Sequence, residues 1–284
     1  MSSFTAAVVQ MRSTTNMAEN VEAMDAAVRE AAAKGASYIQ TPEMTGLVQA
    51  ARKPFFEQVV AEEADPIAAR GSALAKELGI TLHIGSTPVL VGEGRAANRA
   101  LMYGPDGSLL ARYDKIHMFD VDLDNGESWR ESAVYEPGHE AVMVEIERAM
   151  FGFAICYDCR FPELHTTYAK AGCTVLTGPS CFTRQTGRAH WHTLLRSRAI
   201  ETGSWMIAAA QGGVMADGRE SYGHSIIIDP WGEVVAEVTG EEPGIAIAEI
   251  DPAASLAARQ KVPNLKNGRA FDLTNVTAPI LRSA

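Results

Sequence analysis

Cysteine is scarce in this chain: there are four among 284 residues. At that length four cysteines exclude a disulfide-scaffolded fold, and they are read as thiols. Positive charge is also in deficit, with 25 Lys and Arg against 35 Asp and Glu, a formal net charge of −10. A surplus of that sign argues against nucleic acid and anionic membrane as partners. No apolar run is long enough to span a bilayer. The opening residues, Met1-Ser-Ser-Phe-Thr-Ala-Ala-Val-Val-Gln10, carry neither a basic stretch nor a cleavable apolar core. They read as the first core strand of a soluble, cytoplasmic protein. Short repeats, low-complexity tracts and Pro/Gly-rich linkers are missing too, so nothing divides the chain. Residues 1–262 are expected to form a single domain. Residues 263–284, with Pro263, Asn264 and Pro279 and little periodicity, are expected to be a tail draped over the body or at a subunit interface.

What is present is a repeated strand–helix grammar. Thr5 to Met11 reads as a buried strand. Asn16 and Glu19 make a capping box ahead of a helix whose inner face is Val21, Met24, Val28 and Ala31. Ser37 to Gln40 is a short strand running into Thr41-Pro42-Glu43, which places Glu43 at a strand's carboxyl end. Pro66 to Leu78 is a helix closed by Gly79, followed by a strand from Ile80 to Ser86. Ala97 to Tyr103 and Ser108 to Tyr113 form a hairpin that delivers Lys115 at its exit. Phe119 to Gly138 is an acidic loop that includes Asp120, Asp122, Asp124, Glu127 and Glu131. Further on, helices are expected over Pro162 to Ala171 and Gly187 to Thr202, and strands over Thr174 to Thr177, Trp205 to Gln211, Tyr222 to Ile228, Glu233 to Val238 and Gly244 to Ile250. The fold class is α/β: two mixed sheets face to face with a helical layer outside each, a four-layer α-β-β-α sandwich.

The stretch Phe151-Gly-Phe-Ala-Ile-Cys-Tyr-Asp-Cys-Arg-Phe-Pro-Glu163 stands out within that grammar. An apolar run rich in strand formers breaks at Cys156, and Pro162-Glu163 read as the first turn of a helix. A cysteine on such a turn is lifted clear of both elements, beside backbone N–H groups that can face a substrate oxygen. That suits a nucleophile. Free cysteine is also among the most buried residue types, so a structural thiol is the other reading, and the local pattern does not choose. Glu43, Lys115 and Cys156 together supply a base, a cation for an oxyanion and a nucleophile, the parts of an acyl-transfer site.

Pro42-Glu43, Tyr113-Asp-Lys-Ile-His117 and Ile155-Cys-Tyr-Asp-Cys-Arg-Phe-Pro-Glu163 resemble, in order, the three signature blocks of the nitrilase (carbon–nitrogen hydrolase) superfamily. The resemblance continues through Gly187 to His192, Arg198 to Glu201, Ala208 to Gln211, Tyr222 to Ser225 and Asp229 to Glu233, where it is most similar to the Nit branch. It implies the four-layer sandwich, commonly dimerised, and a Glu–Lys–Cys site without metal or organic cofactor. Cys156 is then the nucleophile, Glu43 the general base, Lys115 the oxyanion cation assisted by the Tyr157 N–H, and Glu131 a second glutamate lining the site. Where the family usually carries an apolar residue this chain has Cys159. The resulting C-x-x-C lacks the context of a thioredoxin motif and has no second Cys or His pair at metal spacing.

Between Leu164 and Ile200 there is no acidic residue, yet Lys170, Arg184, Arg188, Arg196 and Arg198 fall there. A basic segment after the nucleophile, in so acidic a chain, suggests a carboxylate-bearing substrate, for which arginine forks are suited. Tyr157, Arg160, Ser180, Thr183 and Arg184 are the candidate substrate-binding residues. The expected function is a thiol-dependent amidase that releases ammonia or an amine from a small linear amide, with no nucleic-acid or membrane partner and a homodimer or higher homo-oligomer as its assembly. By resemblance the amide is deaminated glutathione. Behind it stand an omega-amidase acting on 2-oxoglutaramate-like amides, a carbamoyl-amine hydrolase, a nitrilase and, from another class, a nitrilase-fold binding protein without turnover.

Overall fold

The computed structural model describes residues 3–123, 126, 128–146 and 149–275. Asp124 and Glu127 of the acidic loop, and the tail beyond residue 275, lie outside them.

In chain order, strand β1 (Phe4–Gln10) leads to helix α1 (Met17–Ala33), β2 (Tyr38–Gln40), the short α2 (Arg52–Phe56) and α3 (Pro66–Leu78). Strands β3 (Thr81–Gly92), β4 (Arg95–Tyr103) and β5 (Leu109–Asp114) follow as a meander. A small ribbon comes next, β6 (Asp120–Asp122) with β7 (Ser128–Arg130). The second half comprises β8 (Met143–Ile146), β9 (Ala149–Gly152), α4 (Pro162–Lys170), β10 (Val175–Thr177), α5 (Arg184–Thr202) and β11 (Trp205–Ala208). It ends with a ribbon of β12 (Gly212–Val214) and β13 (Glu220–Tyr222), strands β14 (Ile226–Ile228), β15 (Val234–Glu237) and β16 (Gly244–Ile250), and helices α6 (Pro252–Lys261) and α7 (Asn264–Asn267).

Two six-stranded mixed sheets result, ordered β16-β1-β2-β3-β4-β5 and β15-β14-β11-β10-β9-β8. Each has a parallel centre, β1-β2-β3 and β9-β10-β11, built on strand–helix–strand crossovers. Side-chain alternation sorts the layers. Ala6, Val8, Ala100 and Met102 face the other sheet, whose Phe151, Ile207 and Ile227 share the facing side. Ala7, Val9, Leu101 and Tyr103 face outward and meet Met24, Val28, Ile67 and Leu74 of α1 and α3. Trp191, Leu195 and Ala199 of α5 cover the outside of the second sheet. Both faces of both sheets are therefore buried, as expected for strands this apolar.

Local departures from expectation have physical causes. The Asn16 side chain caps the Ala18 N–H at 3.0 Å, but Glu19 binds Thr14 Oγ1 at 2.8 Å rather than the Asn16 N–H, so no capping box closes. Strand β3 runs past Pro88 because β2 pairs only with Thr81 to His83, leaving that side of β3 without a partner that needs the missing N–H. Helix α5 starts three residues earlier than expected, at Arg184, because Thr183 caps it. Helix α6 was not expected at all, although Asp251 and Pro252 are a regular start signal. It docks through Ser255 Oγ to Thr174 O (2.9 Å) and Arg259 Nε to Thr202 O (2.9 Å). The tail beyond α7 does not drape over the body as far as it is described: Phe271 is 90% and Leu273 85% exposed.

Candidate active site

Glu43 follows β2 by three residues. Its turn is pinned by Thr45, whose hydroxyl donates to Pro42 O at 2.7 Å and whose N–H donates to Ser86 O. The turn also holds Met44 at φ 58°. The Glu43 carboxylate is buried. Its Oε1 accepts from Asn98 Nδ2 (2.9 Å) and Lys115 Nζ (2.8 Å), and its Oε2 from the Cys181 N–H (2.8 Å). Lys115 leaves β5 with its N–H on Asn98 O and its carbonyl on the Gly138 N–H. Its ammonium is shared with Glu131 at 3.0 and 2.8 Å. Glu131 is fixed in turn by the Phe119 N–H at 2.7 Å and by Asn98 Nδ2 at 3.1 Å.

Cys156 follows β9 at the start of a single 3-10 turn, Cys156–Arg160, with φ 48° and its N–H on Pro179 O at 2.9 Å. A positive φ in a residue with a side chain is a strained backbone state, retained only where surroundings over-determine it. Asp158, buried beneath the turn, does much of that. Its Oδ2 accepts from the Ile155 N–H (2.8 Å) and Tyr113 Oη (2.7 Å), and its Oδ1 from the His117 N–H (3.0 Å) and the His117 ring at Nδ1 (2.6 Å). One carboxylate thus ties the lysine block, Tyr113 to His117, to the cysteine turn.

Burial works against the Lys115 ammonium, but Glu131, Glu43 and Cys156 outweigh it and hold its pKa well above the usual lysine range. Burial, aided by Glu43, raises the Glu131 carboxyl despite Lys115. The Cys156 thiol is pushed well above the ordinary cysteine value, first by burial and then by Glu43, with Lys115 opposing too weakly to reverse it. Desolvation and the neighbouring carboxylate thus outweigh the ammonium and favour the thiol form of Cys156.

These side chains face one cavity of about 290 Å³. Tyr157, Arg160 and Thr183 line it, as do Phe119, Trp129 and Arg219. Arg160 lies over the rings of Phe182 (5.4 Å) and Tyr157 (5.9 Å), meets His190 Nδ1 at 3.3 Å, and has no carboxylate partner among the described residues. Two candidates do not reach the cavity. Ser180 is buried with its hydroxyl on Gly178 O at 2.9 Å. Arg184 is turned away into ion pairs with Glu220 (2.5 Å) and Glu241 (2.6 Å), so its charge is already spent on acids distant in sequence. Sequence reasoning missed Asn98, which bridges the two glutamates from mid-strand. It also missed Arg219, which pairs with Asp217 at 2.8 Å and lies 5.1 Å over Trp129. For Asn98 a signal was available, a lone amide among the apolar residues of β4.

A two-sheet sandwich with a buried cysteine, lysine and glutamate pair converging from strand ends defines a nitrilase-type hydrolase. The chain belongs to that superfamily: the family described as Carbon-nitrogen hydrolase matches residues 5–260. It is 37% identical to a deaminated glutathione amidase of Synechocystis over 275 residues, which covers 94% of this chain and 98% of the relative. It is 34% identical to the human omega-amidase NIT2, covering 95% of this chain and 96% of the relative. Among solved structures, the NitFhit protein of C. elegans superposes with a TM-score of 0.87 at 32% identity over 94% of this chain, which spans 65% of that longer one. The chain is thus a Nit-branch carbon–nitrogen hydrolase, and no helix among its described residues is long and apolar enough to cross a membrane.

Proposed function

We propose that the cavity hydrolyses the linear amide of a small carboxylate-bearing acid, with Cys156 as nucleophile. The observation that carries this is the position of Lys115 Nζ, hydrogen-bonded to both Glu43 and Glu131 beside the buried Cys156. In this reading Glu43 accepts the thiol proton as Sγ attacks the carbonyl carbon, because the resting thiol is too weakly acidic to ionise alone. The carbonyl oxygen gains the negative charge, and Lys115 and the Tyr157 N–H hold it. One such donor is typically worth about 3–4 kcal/mol of transition-state stabilisation. Glu43 then returns the proton to the leaving nitrogen, ammonia or an amine departs, and a Cys156 thioester remains. Water deprotonated by Glu43 releases the acid and restores the thiol. Glu131 acts through Lys115, holding the ammonium where the oxyanion forms.

Arg160, without a carboxylate partner among the described residues, is the group that would receive a substrate carboxylate. A cavity of about 290 Å³ suits a small molecule rather than a folded protein. Deaminated glutathione is the substrate favoured by the Synechocystis relative, and 2-oxoglutaramate-like amides follow from the similarity to the omega-amidase. The four unpaired thiols suit the cytoplasm. Residues up to 262 are taken as one catalytic domain. Self-association would draw on exposed apolar side chains such as Ile200, Trp231 and Val262. Ammonia release over a panel of deaminated glutathione, 2-oxoglutaramate, carbamoyl amines and nitriles tests the assignment. A nitrile turned over faster than its amide would overturn it.

A further inference from the structure

Away from the cavity, three potential ligand side chains converge from three segments: His192 on α5, His224 in the turn between β13 and β14, and Glu237 at the end of β15. One donor atom from each lies within 4.8 Å of the others. His192 Nε2 is 3.1 Å and His224 Nδ1 2.5 Å from the same carboxylate oxygen, Oε1 of Glu237. The His192 and His224 rings sit edge to face at 5.5 Å, and Tyr222 stacks on His224 at 4.3 Å. None of the three residues was singled out by local spacing, because 32 and 13 residues separate them along the chain.

The backbone of His224 is also in an unusual state. Among the described residues only Met44, Cys156 and His224 combine a side chain with a positive φ, the last at 58°. The first two adjoin or form the proposed catalytic group. His224 occupies the same strained state at a place the hydrolytic chemistry does not use. Its N–H is fixed to Gly240 O at 3.1 Å and its carbonyl to Trp191 Nε1 at 2.8 Å, so its imidazole is aimed at Glu237 by a main chain held on both sides. Strain of this kind persists where a side chain must be presented in one direction.

We propose that His192, His224 and Glu237 form a binding site for a divalent first-row transition cation of the zinc class. Two imidazoles and one carboxylate are a recurrent protein donor set for such ions. In a tetrahedral site with metal–ligand bonds of about 2.0–2.1 Å, donor atoms stand about 3.3 Å apart. The 3.1 Å pair is already at that spacing, and the 2.5 Å pair must open by under about 1 Å. The side chains are 35%, 22% and 20% exposed, which leaves an entry path and room for water in the remaining position. The ion would clip α5, whose first turn borders the cavity, to the second sheet, and would stabilise the fold by mass action.

Cobalt(II) titration of the full chain carrying Cys156→Ala, which removes the proposed nucleophile and leaves Cys181 as the one cysteine lining the cavity, reads the site directly. One equivalent should bind, with the visible bands of a four- or five-coordinate nitrogen–oxygen site, no sulfur-to-cobalt charge transfer, and a rise in melting temperature. Supporting hydrogen-bond partners of a ligand already contribute about 10–100-fold in affinity. Replacing a ligand itself, as His192→Gln or Glu237→Gln, should weaken binding by at least about 100-fold. His190→Gln, two residues away, should leave it unchanged. His192 is partly exposed, so a folded variant is expected, checked by an unchanged circular dichroism spectrum and metal-free melt. Should His192→Gln fail to fold, Glu237→Gln carries the test. No saturable binding by the Cys156→Ala chain, or unchanged affinity in either ligand variant, would overturn the site and leave the hydrolytic reading untouched.

Discussion

Lys115 Nζ lies 2.8 Å from Glu43 Oε1, with both side chains 2% exposed. Such a pair is stable only as a pair: removing one partner of a buried ion pair typically costs about 3–5 kcal/mol, because the other charge is left uncompensated. With Glu131 on the same ammonium, Lys115→Met leaves two buried carboxylates facing each other. It is expected to lower unfolding free energy by about that amount, measured by urea titration, and to abolish ammonia release. Glu131→Gln removes one of the two negative charges and should destabilise less while still slowing turnover.

Asn98 touches both glutamates and, in the proposed mechanism, no substrate atom. Hydrogen bonds to charged groups are worth about 1.5–3 kcal/mol. Asn98→Leu is therefore expected to lower kcat by about 10–100-fold with KM much less affected. A rise confined to KM, with kcat unchanged, would remove Asn98 as a positioning residue.

Arg160 lines the cavity without a carboxylate partner among the described residues; Arg52 shares that property, but its guanidinium is already hydrogen-bonded to Ala133 O and Gly94 O. Arg160→Gln should lower kcat/KM for carboxylate-bearing amides by about 10–100-fold, while neutral amides of similar size change by less than about threefold. Equal losses on both would assign the arginine to packing over Phe182.

Two histidines outside the chemistry set an acid limit. Burial lowers His83 to about 3 and His165 to about 4, and each has an Nε2 with no hydrogen-bond partner. In the unfolded chain both titrate near about 6.5. Below that value the unfolded state takes up protons that the folded state refuses. The stability from their neutral burial is thus complete above about pH 6.5 and is lost as pH falls, down to about 4 for His165 and about 3 for His83, by about tenfold in the folding equilibrium per unit per histidine. Urea midpoints at pH 7 and pH 5 should show the loss, and His165→Leu should shrink it.

Where the chain carried a punctuated strand, the reading reached the site. Glu43 was legible because Thr41-Pro42 ends β2, and Cys156 because an apolar run breaks on it. The two-sheet architecture followed from strand–helix alternation in both halves. Arg184 misled because a local absence of acids says nothing about Glu220 and Glu241, which the fold brings back to it. Asn98 stayed hidden inside a strand because its two partners come from different turns. The protonation of Cys156 depends on desolvation and on Glu43, both set by tertiary packing. The His192, His224 and Glu237 cluster depends on three segments meeting, which no local spacing encodes.

Whether Cys156 carries the acyl group is read from the mass of the acid-quenched enzyme during turnover of deaminated glutathione or 2-oxoglutaramate, with peptide mapping. The expected result is an acyl adduct of the substrate's acid portion on Cys156, lost on further incubation, together with no adduct and no ammonia release in Cys156→Ala. Ammonia release that persists in Cys156→Ala, or an adduct on another residue, would contradict it.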